Sequence, residues 1–237
     1  MTEFVQMTFD DLIHQKEEKY VRRISYDETK PFLLTIHYAR RMPCITDAFG
    51  LFEDGRLIGV VTYGIPASYN LCVGICGKEY KDDVRELNRL VLLPEYNGKN
   101  YASFLVGRSL KMLDNGIIVV SYADTGWGHC GYIYQVTNFI YTGLSAQRND
   151  VYQPNGLHPR AYDKENHSEY LQTRNPKHRY IYFCGDKRTR KKLLKLLKYP
   201  IKPYPKGDDV KYDINNPTPV IPIKIIKREK TSVKRGE

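Results

Sequence analysis

The segment Ser121-Tyr-Ala-Asp-Thr-Gly-Trp-Gly-His-Cys-Gly-Tyr-Ile-Tyr134 gathers a carboxylate, an imidazole, a thiol and several aromatics around three glycines. Asp124 follows the apolar run Ile117–Ala123, so its carboxylate sits at the carboxyl edge of a buried strand. Open α/β sheets place their ligands at such edges. Gly126 and Gly128 let the loop approach a ligand closely, and Tyr134 and Asn138, four apart, would share one helix face. An Asp here also suits helix capping, and Tyr134 also suits a core. His37-Tyr38 stand just before Arg40-Arg41, on a separate element, where a histidine packs as readily as it ligates. As residue types, His, Asp and Tyr are nitrogen and oxygen donors that suit iron better than soft sulfur sites do. His129 is a second imidazole able to join Asp124.

A second candidate lies after Leu93. The strand that ends at Pro94 passes through Asn97-Gly-Lys-Asn100 into a helix, and a helix start offers free N–H groups and a positive dipole end to an anion. Gly98 permits close backbone approach, Lys99 adds charge and Ser103 adds a hydroxyl. A phosphate or pyrophosphate is the natural guest, although the same residues make an ordinary capped turn.

These groups need elements to hold them. Residues 8 to 18 carry a helical period, and a second helix is expected from about Lys30 to Arg41, with Pro31 in its first turn. Asp54-Gly55 between the apolar runs of Phe49–Tyr63 predicts a β-hairpin. Val84–Leu93 reads as a strand, Asn97–Ser103 as the opening of a helix that runs to about Leu113 with Ala102, Leu105, Val106, Ser109, Leu110 and Leu113 on one face, and Ile117–Ala123 as a buried strand. A further helix is expected from about His129 to Tyr141, capped by Gly143. Closing strands at Leu144–Tyr152 and Arg179–Cys184 bracket a polar insertion, and a basic helix runs from Asp186 to about Tyr199 with Leu193, Leu194, Leu196 and Leu197 turned inward. The order predicts an α/β fold, a mixed central sheet with helices on both faces. Residues 1–199 would form one catalytic domain and residues 200–237 a basic, flexible tail.

The 37 Lys and Arg against 27 Asp and Glu give a net charge of +10, which favours an anionic partner such as nucleic acid or an anionic coenzyme. No apolar run is long enough for a bilayer and no signal-peptide pattern opens the chain, so a cytoplasmic protein without membrane association is expected. Five scattered cysteines point to reduced thiols, with Cys72 and Cys76 as small core residues.

The hairpin, the strand ending in Arg89-Leu-Val-Leu-Leu-Pro94 and the phosphate-cradling helix start resemble the GNAT acyltransferase superfamily, in which this turn grips the coenzyme A pyrophosphate. Of that superfamily's Gln/Arg-x-x-Gly-x-Gly/Ala turn, Glu95-Tyr-Asn-Gly-Lys-Asn-Tyr-Ala102 keeps the first glycine and the final alanine. Ile36-His-Tyr38, Asn88–Pro94 and Ser121–Asn138 taken together resemble, more closely, the phage Mom family of DNA adenine-modifying proteins, over roughly residues 30 to 185. The resemblance implies a GNAT-like fold that converts adenine in DNA to its N6-carbamoylmethyl form and shields phage DNA from restriction. It implies that His37, Tyr38, Asp124 and Tyr134 surround a catalytic iron, and that Arg89 and Ser103 join Asn97, Gly98 and Lys99 in an acetyl-CoA or related acyl-CoA surface. Simple acyl transfer to an exocyclic amine gives an amide rather than a carbamoylmethyl group, so the fold alone does not explain that product.

A base modified at N6 must leave the duplex stack and find an aromatic surface, for which Tyr63, Tyr101, Trp127, Tyr132 and Tyr134 are candidates and Trp127, the sole tryptophan, is the one singled out. Arg160, Arg174 and Arg179 in and beside the insertion, and Lys191 and Lys192 on the basic helix, would hold double-stranded DNA. A homodimer is compatible with this reading. The alternatives are a conventional N-acetyltransferase acting on an amine and a non-catalytic DNA-binding protein on the same fold.

Overall fold

The computed structural model describes residues 19–98, 100–152, 169–207, 220–221 and 224–227. The expected helix at 8 to 18, Lys99, Arg160 and most of the polar insertion lie outside the described residues. The chain divides into two compact units, one of residues 1–121, 136–139 and 181–199, the other of 122–135, 140–180 and 200–237.

In the first unit, β1 (Lys19–Arg23) is followed by α1 (Tyr26–Pro31), which continues as a π-helical turn over Phe32–Ile36. Next come β2 (Asp47–Glu53), β3 (Arg56–Gly64), α2 (Tyr69–Cys76), β4 (Val84–Leu92), α3 (Tyr101–Met112) and the start of β5 (Ile118–Asp124). The second unit holds α4 (Tyr132–Val136) up to Gln135, β6 (Ile140–Leu144), β7 (Arg148–Val151), β8 (Tyr170–Arg174) and the start of β9 (Lys177–Phe183). It also holds β10 (Lys224–Lys227), while α5 (Lys187–Leu196) belongs to the first. The strands run β1-β2-β3-β4-β5-β9-β6 in one sheet and β10-β8-β7 in another. Each neighbouring pair from β1 to β4 is antiparallel and β4 pairs with β5 in parallel, so the large sheet is mixed and the fold is α/β.

The period of two along β3 explains how helices cover both faces of the first unit's sheet. Val60 joins Val91, Phe32 and Leu33 in a buried cluster beneath α1 and its π turn. Gly59 and Tyr63 point the other way, toward α3, where Leu105 closes over Gly59 and the Tyr63 hydroxyl meets Ser109 Oγ at 2.6 Å. The hairpin turn is the expected Asp54-Gly55, both residues at positive φ (49° and 77°). None of the five cysteines forms a disulfide, and Cys72 and Cys76 are buried as expected. No helix among the described residues is long and apolar enough to cross a membrane.

Several elements differ from the sequence expectation. The helix expected from Lys30 begins at Tyr26, because Ser25 and Glu28 form a capping box, and Pro31 closes α1 instead of opening it. It ends at Ile36, since His37 is extended (ψ 133°). The helix expected to reach Tyr141 stops at Val136; Asn138 adopts a left-handed conformation (φ 63°) and turns the chain into β6. Tyr134 and Asn138 therefore share no helix face. Gly143 lies inside β6 at φ 92°, backed by the Lys202 side chain, and caps nothing. On α5 only Leu193 is buried; Leu194 and Leu196 are exposed, because α5 presents a narrow stripe to α2, where Cys76 Sγ meets the Leu193 carbonyl. Strand β1 and helix α2 had no counterpart in the sequence reading.

Candidate functional site

A bulge in β4 builds the first group of candidate residues. Thr62 of β3 pairs with Arg89 and Tyr63 with Leu87, so Asn88 is an extra residue in the ladder. Its amide is fixed from both sides: Oδ1 accepts from Thr62 Oγ1 at 2.6 Å and Nδ2 donates to the Cys44 carbonyl at 2.8 Å. Residues paired across a sheet share a face. Arg89, opposite Thr62, and Glu86, opposite Gly64, therefore both point to the face of Val60 and the π turn, although three residues apart.

The π turn delivers His37 to that face. His37 is buried, its ring stacks on Tyr38 with centroids 4.4 Å apart, and its Nδ1 accepts from the Ala39 N–H at 3.0 Å. Burial first, then the Arg89 and Arg41 guanidiniums, push its pKa down to about 3, so the ring is neutral and carries its proton on Nε2. Arg89 donates from Nη1 to the Asn88 carbonyl at 2.6 Å, and its buried Nε finds no hydrogen-bond partner among the described residues. Tyr38, Arg41 and Glu86 act on it electrostatically. The structure thus brings His37, Tyr38 and Arg89 together and adds Arg41 and Glu86. It also moves Arg89 away from its expected place: the side chain lies on the face opposite α3, whereas the anion turn is at the N-terminus of α3.

At the start of α3, Gly98 takes φ 84° with open space where a Cβ would project, Asn100 takes φ 60°, and no side-chain capping hydrogen bond is found among the described residues. A helix start without such a cap can receive an anion. Ser103 is a weaker participant than its position suggests, because its Oγ donates to the Asn100 carbonyl at 2.9 Å. Ser103→Ala is therefore expected to weaken acetyl-CoA binding by no more than about threefold, below the usual worth of one hydrogen bond. Titration calorimetry checks this, and a loss beyond about tenfold refutes it.

The second unit holds Asp124. Its Oδ1 accepts from the Gly126 N–H at 2.9 Å and its Oδ2 pairs with Lys177 Nζ at 2.6 Å. A Cβ at Gly126 would come within 2.6 Å of the Asn175 side-chain amide, which would have to shift to admit it. The loop is tied down by Thr125 Oγ1 donating to the Pro176 carbonyl. Beside it, Tyr180 is fully buried, donates its hydroxyl to the Cys130 carbonyl and packs against Tyr134 (5.1 Å between centroids) and Tyr141 (5.2 Å). Tyr141 in turn meets His178 Nδ1 at 2.8 Å. Trp127 is half-buried and Tyr132 is exposed. Lys177, Tyr180 and Arg41 were absent from the sequence-based site; only the Arg40-Arg41 doublet after His37-Tyr38 could have signalled one of them.

The remaining cations differ in availability. Arg179 is spent on the sheet, clamping Thr142 through Nε at 2.9 Å, and Arg174 pairs with Asp150. Lys192 lies over the Tyr80 ring, whereas Lys191 stands exposed. Around it α5 exposes Lys187, Arg188, Arg190 and Lys195, none ion-paired among the described residues.

The donors expected for iron do not fit it as arranged. Metal-ligating histidines donate their second N–H to an acceptor, whereas His37 Nδ1 accepts an N–H and its surroundings are cationic. The Asp124 carboxylate is neutralised by Lys177, and no three His, Cys, Asp or Glu side chains form a metal-binding group among the described residues.

Comparison with known proteins follows the same lines. Solved structures similar to this chain include a GNAT family acetyltransferase from Bacillus cereus (14% identity, 71% of this chain, 99% of that one, TM-score 0.43). A Bacillus subtilis acetyltransferase in complex with CoA is another (15% identity, 72% and 100% covered, TM-score 0.41). Among curated proteins, the methylcarbamoylase mom of Escherichia phage Mu is 26% identical over 210 residues, which cover 80% of this chain and 85% of the relative. The sequence profile of the Mom protein family matches residues 18–206, which take in every strand but β10 and all the candidate residues. This chain belongs to the Mom protein family.

Proposed function

We propose that this protein is a DNA-modifying transferase that attaches a carbamoylmethyl group to N6 of adenine in double-stranded DNA, in the host cytoplasm, and thereby protects phage DNA from restriction. The observation that carries this reading is the family match across residues 18–206, with a methylcarbamoylase as relative. The chemistry of the residues supports it.

For a carbon to bond to N6, the amine must lose a proton. Asp124, held between the Gly126 N–H and Lys177, is a positioned carboxylate that can accept it. Lys177 keeps that carboxylate oriented and is a positioning residue. Trp127 and Tyr134 supply aromatic surface for a base taken out of the stack, with Tyr134 braced by Tyr180. His37, neutral, offers its Nε2–H as a hydrogen-bond donor and adds no charge. Asn97, Gly98 and the first turn of α3 would hold the phosphates of an acyl-coenzyme A. No step is routed through iron.

The unpaired cations of α5 are the part of this reading that faces the DNA backbone. Each phosphate contact releases condensed counterions, giving a salt slope of about −0.9 per contact. Replacing Lys187, Arg188, Lys191 and Lys195 together with Gln is expected to flatten the slope of log K against log salt by about 3 to 4. An unchanged slope in fluorescence-anisotropy titrations removes α5 from the interface.

Mass spectrometry of nucleosides from plasmid DNA co-expressed with the protein tests the function. An adenosine heavier by a carbamoylmethyl group is the expected result. Unmodified DNA with acetyl-CoA turnover on an amine would make this an ordinary N-acetyltransferase, and unmodified DNA without turnover a binding protein.

A further inference from the structure

The small sheet turns one face into an open groove. Residues paired across a sheet share a face, and Lys224 of β10, Thr173 of β8 and Asn149 of β7 pair in one row. With Gln147 just before β7 and Ile226 on β10, they line a groove of about 420 Å³. All but Thr173, which is half-buried, are exposed. Thr173 Oγ1 donates to Asn149 Oδ1 at 3.0 Å, which sets the orientation of that amide and leaves Nδ2 as its donor.

The residue types of the groove select what can occupy it. A free phosphate or carboxylate would meet one cation, Lys224, among four uncharged residues. Single-stranded nucleic acid is held by stacking on aromatic rings, and no aromatic residue is among the five. A protein strand added at the edge is disfavoured too, because β10, Lys-Ile-Ile-Lys, carries a lysine at each end, and charged edge strands resist such pairing. The edges of stacked base pairs fit. The carboxamides of Asn and Gln both donate and accept on base edges, and an apolar side chain such as Ile226 meets a thymine methyl. Strands about 4.8 Å apart give the three-residue row a span of roughly 10 Å, within the ~12 Å width of a major groove. Arg148, Arg174, Lys224 and Lys227 against Asp150 leave the three strands net positive, which suits the phosphates that flank such a groove.

The groove adjoins the Asp124 loop. Asn175 follows Thr173 by two residues, at most about 7 Å along the chain, and its amide packs against Gly126, whose N–H holds Asp124. The chain entering β10 is tied to the same loop, where the Ile221 N–H donates to the Gly126 carbonyl at 3.0 Å.

We propose that this face of the small sheet reads base pairs in the major groove beside the target adenine, with Gln147 and Asn149 as the specificity-determining residues and Lys224 as a phosphate contact. That adenine is the target rests on the DNA-modification reading; the reading of bases by this face does not.

Selection of bound duplexes from a library of randomised base pairs, followed by sequencing, tests it on the full chain. The parent protein is expected to prefer one base over the others at least about tenfold at one or two positions. Gln147→Ala combined with Asn149→Ala is expected to reduce that preference below about threefold, while a random duplex binds within about threefold of the parent. Asn149→Asp keeps the acceptor for Thr173 and loses the donor, and is expected to move the preference toward cytosine, whose amine a carboxylate accepts. Lys224→Gln is expected to weaken all sequences alike and to keep the preference. A parent without preference overturns the site, as do a preference that survives the double substitution and binding to single strands alone. Adenine modified in cells with a flanking preference that the double substitution leaves unchanged overturns this site and leaves the DNA reading standing. Selective binding that the double substitution abolishes, beside unmodified DNA, supports the site and overturns the modification reading.

Discussion

Asp124→Asn is expected to lower the carbamoylmethylated adenine in co-expressed DNA at least about 100-fold, the lower range of what a positioned general base contributes. Asparagine has the shape of aspartate and can still accept the Gly126 N–H through its side-chain oxygen, so the loop should keep its form. What it loses is the charge that accepts a proton from N6 and that Lys177 holds in place. Lys177→Gln is the informative companion: the carboxylate remains, its orientation loosens, and modification falls less than in Asp124→Asn. Circular dichroism establishes that both variants fold. Modification by Asp124→Asn within about threefold of the parent protein would remove Asp124 from the chemistry.

How much of this was legible in the sequence depends on whether the deciding interaction is local. Asp54-Gly55 set the hairpin because two adjacent residues that tolerate positive φ are sufficient, and α3 was legible because its buried stripe repeats at the helical period. The Ser25 and Glu28 capping box was present but outweighed by Pro31, and α1 was placed too late. Strand β1, Lys-Tyr-Val-Arg-Arg, has no burial pattern of its own and is a strand because β2 pairs with it. The same division runs through the site. Asp124 and Gly126 were legible because a strand edge followed by glycines is a local pattern. Lys177, fifty-three residues further on, and the shared face of Arg89, Glu86 and His37 were not. The first depends on pairing between remote segments, and the second on one extra residue in a ladder, which reverses the alternation that a uniform strand would predict.

The burial of His37 has a large consequence for stability. Its pKa is about 3 in the folded chain against an ordinary 6.5, so the unfolded chain binds a proton there first. The stabilisation is complete above pH 6.5 and is lost as pH falls below it, at about 1.4 kcal/mol per unit, down to the folded value. Between pH 6.5 and 5 the expected loss is therefore about 2 kcal/mol from this one group. The window separates it from the carboxylates: Glu28 and Asp186, both held below their ordinary values by backbone hydrogen bonds from Ser25 and Thr189, act in the same direction but titrate at lower pH. The variant to compare is His37→Asn, whose Oδ1 can replace Nδ1 as acceptor for the Ala39 N–H without carrying a titratable group. Urea denaturation at both pH values is expected to show the parent losing about 2 kcal/mol more than this variant. Equal losses would mean that His37 protonates freely in the folded state, and the neutral ring on which its hydrogen-bonding role depends would be lost with it.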